Sequence, residues 1–241
     1  MDTDVFLAWL AAAAAAIEAN RDHLTQLDAA IGDADHGTNL ARGFAAVTAA
    51  IEGAAPRPAT PGALLTLTGS TLISKVGGAS GPLYGVAFRR AGKALGAAAT
   101  VDLPGLEQAL EAALAGVQQL GAAREGDKTM VDALAPATRA FGKAIAEGAA
   151  AAAALSALAE AAAAGAAATV SMQARKGRAS YLGPRSVGHE DPGAASTALI
   201  LAALRDAAAG AGPAGAGPAG AGPAGAGPAG AGPAGAGDAG R

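Results

Sequence analysis

Three aspartates lie close together in and just before the segment IGDADHGTNLARGF. Asp28, Asp33 and Asp35 are separated by five and two residues, and Gly32 lets the chain turn between them. Carboxylate oxygens are the ligands that Mg²⁺ prefers, and a magnesium site usually keeps coordination positions for water and substrate phosphates. Zinc is disfavoured because His36 is the only nitrogen ligand nearby and the chain has no cysteine. The spacing therefore predicts a magnesium site.

A simpler interpretation of the same aspartates stays open. Asp33 or Asp35 would then cap the helix that is predicted to begin near Thr38, and the other carboxylates would be solvated in the loop. For any single aspartate the two interpretations are about equally good. Three carboxylates within eight residues, with His36 beside them, favour the metal.

Two glycine-rich segments are typical of phosphate-binding loops. HGTN places Gly37, Thr38 and Asn39 at a predicted helix N-terminus, where backbone N–H groups and the helix dipole attract anions. In GGASG, glycines without side chains flank Ala79 and Ser80, so an anion can approach the backbone and the Ser80 hydroxyl. The sequence contains no Walker A motif and no protein-kinase glycine loop. Nucleotide phosphates would therefore be bound on another scaffold.

A long polar segment, KGRASYLGPRSVGHEDPG, separates the last two predicted helices. Polar loops of this length are functional when they are not disordered, and Tyr181 and Leu182 argue against disorder. Arg178 can be interpreted either as one half of a surface salt bridge or as a ligand contact. Asp191 directly precedes Pro192 and Gly193 at the predicted start of the last helix.

The elements that must position these residues are predicted to be helices. The chain is 51% hydrophobic but only 3% aromatic, and its abundant alanine favours closely packed helices over strands. We expect an all-α bundle or barrel over residues 1–209, with glycine-rich turns between the helices. The predicted helices cover about 4–20, 21–31, 38–53, 62–75, 80–98, 105–121, 128–147, 150–167 and 194–209, and Thr3 is the expected cap of the first.

Residues 210–241 form a separate, low-complexity segment. AGAGP repeats with a period of five residues, and no large apolar side chain is available for burial, so we expect this tail to be disordered. The net charge of −3 excludes general nucleic-acid binding. The N-terminal run FLAWLAAAAAAI is too short to span a bilayer. The sequence indicates a cytoplasmic protein without membrane attachment.

All four polar clusters resemble the nucleotide-binding L subunit of bacterial dihydroxyacetone kinase. The motifs read GDADHGTN, GGASGPLYG, GDKTMVDAL and GRASYLG followed by GHEDPGAAS, and they occur in this order over about residues 3–209. The resemblance implies an eight-helix antiparallel α-barrel that holds ADP or ATP and two Mg²⁺ ions at one rim. It also implies a phosphotransferase that is active only as part of a multi-subunit complex.

The resemblance assigns roles to individual residues by motif match. The metal ligands would be Asp28, Asp33 and Asp35. No residue is an obvious catalytic group, and His36 is the only candidate for that role. The nucleotide would contact His36, Gly37, Thr38, Asn39, Ala79, Ser80, Gly121, Met130, Arg178, Asp191, Pro192 and Gly193. The sequence departs from the family pattern at Ala34, where the family has glycine, and a positive φ there would strain the loop by about 1 kcal/mol.

The resemblance also implies partner subunits. Dihydroxyacetone would be held by a K subunit, and a phosphocarrier M subunit of the phosphotransferase system would rephosphorylate ADP in place. The sequence leaves open a homodimer, free ATP as the phosphoryl donor, and another acceptor such as a four-carbon sugar or a fatty acid. The intact DADHG and GGASGPLYG motifs favour the dihydroxyacetone branch over the fatty-acid branch. An ADP-loaded regulatory subunit that binds a transcription factor also stays open.

Overall fold

The computed structural model describes residues 1–210, and the repeats at 211–241 lie outside the described residues. The predicted disorder of that tail is therefore untested. The described chain forms nine α-helices and two short 3-10 helices. They are α1 (Thr3–Ala19), α2 (Arg21–Ile31), α3 (His36–Glu52), α4 (Pro61–Lys75), α5 (Ser80–Leu95), α6 (Leu103–Gly121), α7 (Val131–Ala146), α8 (Ala151–Ala168), a 3-10 helix at Thr169–Ser171, a second at Arg178–Ser186, and α9 (Pro192–Gly210).

The prediction of an all-α fold is confirmed. Within residues 1–210 there is no β-strand, and the only β-type pairing is an isolated bridge between Asp2 and Thr100. Predicted helix ends differ from the observed ones by three residues or fewer. The expected cap of α1 was wrong: the side chain of Asp2, not Thr3, accepts the Val5 amide at 3.1 Å, and the Thr3 hydroxyl donates to the carbonyl of Ala59.

Eight of the helices form a closed ring. From α3 to α9 each helix packs against the next one in the chain, and α1 closes the ring by packing against both α9 and α3. Short connections join consecutive helices from α3 to α8, and neighbours joined in this way run antiparallel. Helix α2 lies at one end, in contact with α3, α9 and the second 3-10 helix. The ring corresponds to the eight-helix barrel that the resemblance implies.

A small aromatic cluster fills part of the ring's interior. Trp9 on α1 lies 5.7 Å from Phe6 and 5.8 Å from Phe88, between ring centroids, and Phe88 lies 6.3 Å from Phe44 on α3. The indole N–H of Trp9 donates to the Ile200 carbonyl at 2.9 Å, which ties α1 to α9. Leucine, alanine and valine supply most of the remaining buried apolar side chains, as the low aromatic content indicates.

Helices α4 and α5 approach closely because glycines face each other across the contact. A Cβ on Gly69 would lie 2.5 Å from the carbonyl oxygen of Gly85, and a Cβ on Gly92 would lie 2.6 Å from that of Gly62. Real Cβ atoms essentially never approach backbone so closely. The crossing therefore depends on the absence of side chains at these positions.

The segment Ala151–Ser171, which contains α8, is long and apolar enough to cross a membrane by length and composition alone. In the fold it packs as a ring helix against α7 and α9, and Leu155 and Leu158 are buried there. Its alanines serve close packing in the same way as the glycines of α4 and α5.

We expect Gly69→Ala to destabilise the protein even though alanine is the better helix former. The new methyl would overlap the backbone of α5, and such overpacking costs about 1–3 kcal/mol. Chemical denaturation measures this free energy of unfolding. The matched control is Gly142→Ala in α7, where the Cβ would meet only the flexible carboxylate end of Glu107. That variant should be neutral or gain up to about 1 kcal/mol, and equal losses in both variants would contradict the close-contact explanation.

Candidate functional site

One rim of the ring collects the N-termini of alternate helices. The first residues of α3, α5, α7 and α9 (His36, Ser80, Val131 and Pro192) all line a single cavity of about 290 Å³. Helix N-termini carry partial positive charge and N–H groups without intrahelical partners. Four of them around one cavity give this rim a positive potential that favours anions.

The three aspartates that the sequence singles out meet at this cavity. Carboxylate oxygens of Asp28, Asp33 and Asp35 lie within 4.8 Å of one another. Asp28 is buried, Asp35 is partly buried and Asp33 is exposed. Such a set of oxygen donors, open on one side, fits a hard divalent cation. The carboxylates lie beside the helix N-termini, so a bound cation would face a bound anion.

Asp28 also caps α3 from the neighbouring helix. Its Oδ2 accepts hydrogen bonds from the backbone N–H groups of Asp35 at 2.8 Å and His36 at 3.1 Å. The alternative interpretation, that Asp33 or Asp35 caps this helix, is wrong because α3 has no side-chain cap from its own N-cap residue, Asp35. The cap comes from α2, which leaves the carboxylates of Asp33 and Asp35 for another partner.

The loop between α2 and α3 contains a left-handed residue at Ala34, the position where the sequence departs from the family pattern. Ala34 has φ 61°, a region that L-residues other than glycine occupy at a cost. A Cβ on the neighbouring Gly32 would lie 2.0 Å from Oδ1 of Asp28. Gly32 is therefore required for the close approach of the Asp28 carboxylate, whereas Ala34 is tolerated under strain.

The N-terminus of α5 faces the same cavity. Gly78, Ala79 and Ser80 line it, and Gly78 has φ 66°. The N-cap residue of α5 is Ala79, which makes no side-chain cap. The Ser80 hydroxyl lies 3.0 Å from Nδ1 of His36. Burial lowers the pKa of His36, although the nearby carboxylates of Asp28 and Asp35 oppose that shift.

Three residues predicted to contact the nucleotide lie on α3 but outside the lining of the cavity. A Cβ on Gly37 would lie 2.0 Å from the carbonyl of Arg21, so this glycine serves the packing of α2 on α3. Thr38 is exposed, and Asn39 is buried and accepts a hydrogen bond from Arg42 at 2.7 Å. Their contact with a nucleotide remains a prediction from the resemblance.

The polar segment before α9 also lines the cavity, through residues 176–179. Nε of Arg178 lies 2.9 Å from Oδ2 of Asp33, so this arginine forms the ion pair of the first interpretation. It also lines the cavity, and its contact with a ligand stays a prediction. The segment is ordered as expected, but Tyr181 is 88% exposed. The anchor is Ser186, which is fully buried and whose hydroxyl accepts the Ala174 amide at 2.9 Å.

Asp191 holds the start of α9. Its Oδ2 accepts the Ala194 amide at 2.8 Å, and its own N–H donates to the Thr169 hydroxyl at 2.9 Å. Burial raises the pKa of Asp191 to about 7, against the opposing effect of the amide hydrogen bond from Ala194 and of Lys128. Pro192 and Gly193 follow it along the cavity wall.

Lys128 is a cavity residue that the sequence did not single out. Its side chain is buried, and the ammonium donates to the carbonyls of Thr169, at 2.6 Å, and His189. Burial lowers the pKa of Lys128. The residue lies between Asp127 and Met130 in GDKTM, but a lysine in a loop gives no sequence signal of burial. Its hydrogen bonds tie the loop before α7 to the segment before α9.

Part of the cavity wall is apolar. Leu83, Val117, Gly121 and Met130 contribute to it. Gly121 and Met130 are thus brought together as the resemblance implies, and a flat apolar group such as a nucleobase fits this wall.

Comparison with known proteins identifies the family. Residues 30–206 match the DAK2 domain. The chain belongs to the DAK2 domain family. It is 42% identical over 200 residues to the ADP-binding subunit DhaL of the PEP-dependent dihydroxyacetone kinase of Escherichia coli, covering 83% of this chain and 94% of that protein. It is 40% identical over 203 residues to DhaL of kinase 1 of Listeria innocua, covering 84% and 96%. The resemblance seen in the motifs is confirmed.

Part of a solved kinase structure has the same fold. The dihydroxyacetone kinase of C. freundii in complex with AMP-PNP and Mg²⁺ superposes with a TM-score of 0.60 at 28% identity. The match covers 82% of this chain and 33% of that one, so this chain spans about a third of the larger kinase.

We expect Ala34→Gly to stabilise the protein by about 0.5–1 kcal/mol. Glycine removes the left-handed strain of about 1–2 kcal/mol, and its greater freedom in the unfolded chain offsets part of the gain. The melting temperature or a denaturant midpoint measures the change. The control is Ala168→Gly, an exposed helical residue with φ −62°, which should lose up to about 1 kcal/mol. A loss at both positions would argue against strain at Ala34.

Proposed function

We propose that this chain is the nucleotide-binding subunit of a dihydroxyacetone kinase, holding ADP or ATP with Mg²⁺ at the rim cavity. The observation that carries the proposal is the placement of the aspartate cluster and the uncapped N-terminus of α5 on one cavity. Carboxylates attract a cation and helix amides attract an anion, and a magnesium nucleotide supplies both. The DhaL relatives are named as ADP-binding subunits, which supports the same function.

The donor set fits magnesium. Asp28, Asp33 and Asp35 would hold up to two ions, as the resemblance implies, through oxygens already within 4.8 Å of one another. Bound Mg²⁺ neutralises phosphate oxygens and so stabilises the charge that develops during phosphoryl transfer. Asp28 is the least adjustable ligand, because its Oδ2 also caps α3.

The remaining residues would orient the nucleotide. Ser80 and the first amides of α5 would bind phosphate oxygens, and the apolar wall at Gly121 and Met130 would take the base. Arg178, which forms an ion pair with Asp33 in this structure, would lie between that carboxylate and a phosphate and contact both. Positioning of this kind supplies most of the catalysis in phosphoryl transfer.

The acceptor would be supplied by a partner. In this proposal the cavity is filled by the nucleotide and its metal ions, so the acceptor has to come from outside the chain. We therefore propose that a K subunit presents dihydroxyacetone to the rim and that an M subunit of the phosphotransferase system rephosphorylates ADP. The names of the DhaL relatives, subunits of PEP-dependent kinases, support this arrangement.

Asp35→Asn should abolish the Mg²⁺-dependent binding of ADP while leaving the apoprotein's melting temperature nearly unchanged. The substitution removes a negative charge from the metal cluster but breaks none of the hydrogen bonds that cap α3. Calorimetric titration of ADP with and without Mg²⁺ measures the effect, and we expect a loss of at least about tenfold, or 1.4 kcal/mol. Asp22→Asn, an exposed aspartate of α2 outside the cluster, is the control and should bind normally. Normal Mg²⁺-dependent binding by Asp35→Asn would contradict the metal assignment.

With ATP and dihydroxyacetone, the isolated chain should form no dihydroxyacetone phosphate. Adding a K subunit should permit about one turnover of the bound nucleotide, because in-line transfer requires the acceptor oxygen within about 3–3.5 Å of the γ-phosphorus. Sustained turnover should then require nucleotide exchange or a phosphorylated M subunit. A coupled assay for dihydroxyacetone phosphate measures each step. Steady activity of the chain alone would show that it contains its own acceptor site.

A further inference from the structure

Three buried hydroxyls connect the inner part of the fold to His36. The Tyr84 hydroxyl lies 2.7 Å from Oγ of Ser196 and 2.9 Å from Oγ1 of Thr197. Oγ of Ser196 lies 2.9 Å from Nε2 of His36. Tyr84, Ser196 and Thr197 are each 4% exposed or less. In this closed environment each hydroxyl proton must go to one of a few acceptors, so the direction of the hydrogen bonds can be worked out.

The carbonyl of Gly193 limits these choices. The hydroxyls of Thr197, Tyr84 and Ser196 lie within reach of it, at 2.8, 3.0 and 3.1 Å. A carbonyl oxygen has two acceptor positions. Because Gly193 is the fourth residue before Thr197 in α9, one position takes the Thr197 amide in the regular helix pattern. One hydroxyl can use the other position, and Thr197 is the nearest.

With Thr197 donating to Gly193, the other protons have a consistent direction. The shortest contact of Tyr84 is to Ser196, and the contact of Ser196 to His36 is shorter than its contact to Gly193. Loss of solvation raises the pKa of Tyr84 to about 12, so its hydroxyl stays a donor at neutral pH. Tyr84 then donates to Ser196, and Ser196 donates to Nε2 of His36.

A ring nitrogen that accepts a hydrogen bond carries no proton, so a neutral His36 must carry its proton on Nδ1. Nδ1 lies 3.0 Å from the hydroxyl of Ser80 and donates to it. The proton of Ser80 is then available for an acceptor in the cavity, which Ser80 lines. Hydrogen bonds aligned in one direction polarise and strengthen one another.

We propose that Tyr84 and Ser196 are positioning residues that hold a proton on Nδ1 of His36 and thereby make the Ser80 hydroxyl a donor to an anionic oxygen. Naming that oxygen as a nucleotide phosphate rests on the proposed function. With the opposite direction, Ser80 would donate to Nδ1 and would present only lone pairs to the phosphate. The buried pair therefore determines whether the rim attracts or repels the anion at this point.

The direction of the hydrogen bonds can be measured without a ligand. Nitrogen NMR of the ¹⁵N-labelled full chain distinguishes protonated from unprotonated ring nitrogens, and His36→Gln assigns the signals by their loss. We expect a proton on Nδ1 of His36 in the native chain, and loss of this preference in Ser196→Ala. Tyr84→Phe, which keeps the ring, should weaken the preference. A native His36 with its proton only on Nε2 would overturn the proposal.

A double-mutant cycle on ADP affinity tests the consequence for binding. A hydrogen bond to a charged group is worth enough that Ser80→Ala should lower the affinity for ADP with Mg²⁺ by about tenfold or more. Ser196→Ala should lower it several-fold in the native chain and have almost no further effect when Ser80 is already alanine. Thr68→Val, which removes a buried hydroxyl of α4, is the control and should bind normally.

The possible outcomes separate the two proposals. Equal losses from Ser196→Ala in both backgrounds would show that Ser196 does not act through Ser80, and this result would overturn the inference. Absence of ADP binding by the unsubstituted chain would contradict the proposed function. The NMR measurement would then decide the hydrogen-bond direction by itself.

Discussion

Neighbouring helices of the ring run in opposite directions, so every second helix presents its N-terminus to the same rim. The fold therefore concentrates positive potential and unpaired amides at one end, where α3, α5, α7 and α9 begin. Carboxylates accept hydrogen bonds from backbone N–H groups at or just before three of these helix starts. Asp28 does so for α3, Asp132 for the loop before α7 and Asp191 for α9. No described side chain does so for α5, which leaves its first amides to an anion. The site is thus a consequence of the ring's topology and of the one helix start, that of α5, whose amides have no carboxylate partner within residues 1–210.

Asp28 joins this topology to the aspartate cluster. One carboxylate both caps α3 and lies within ligand distance of Asp33 and Asp35. The short loop of Gly32 and Ala34 brings the last two aspartates back toward it, at the cost of a left-handed residue. Folding of α3 and assembly of the aspartate cluster therefore depend on the same contacts. Lys128 in turn holds the residues before α9 through the carbonyls of Thr169 and His189, which fixes a second part of the cavity lining.

Several features could be predicted because their causes are local. Abundant alanine with glycine-rich turns gives helices, and the ends of most of them were correct within two residues. The larger errors also have local causes: Gly96 at φ 58° ends α5 early, and Lys128 at φ 61° delays the start of α7. The motifs placed the aspartates, Ser80, Arg178 and Asp191 around one cavity, as the structure does. The exposed side chain of Tyr181 could not be anticipated, because the loop is anchored by the small polar Ser186.

By itself, the sequence determined the secondary structure, the cluster of three aspartates and the family, since residue type and short spacing carry those signals. Only the tertiary structure decided which partners the polar side chains take. Asp28 caps a helix that follows it, Gly37 serves packing on α2, and Lys128 is buried. The chain of Tyr84, Ser196 and His36 spans residues that are 112 and 160 positions apart. The direction of a hydrogen bond depends on every donor and acceptor within about 3 Å, and closing the ring is what brings these groups to that distance.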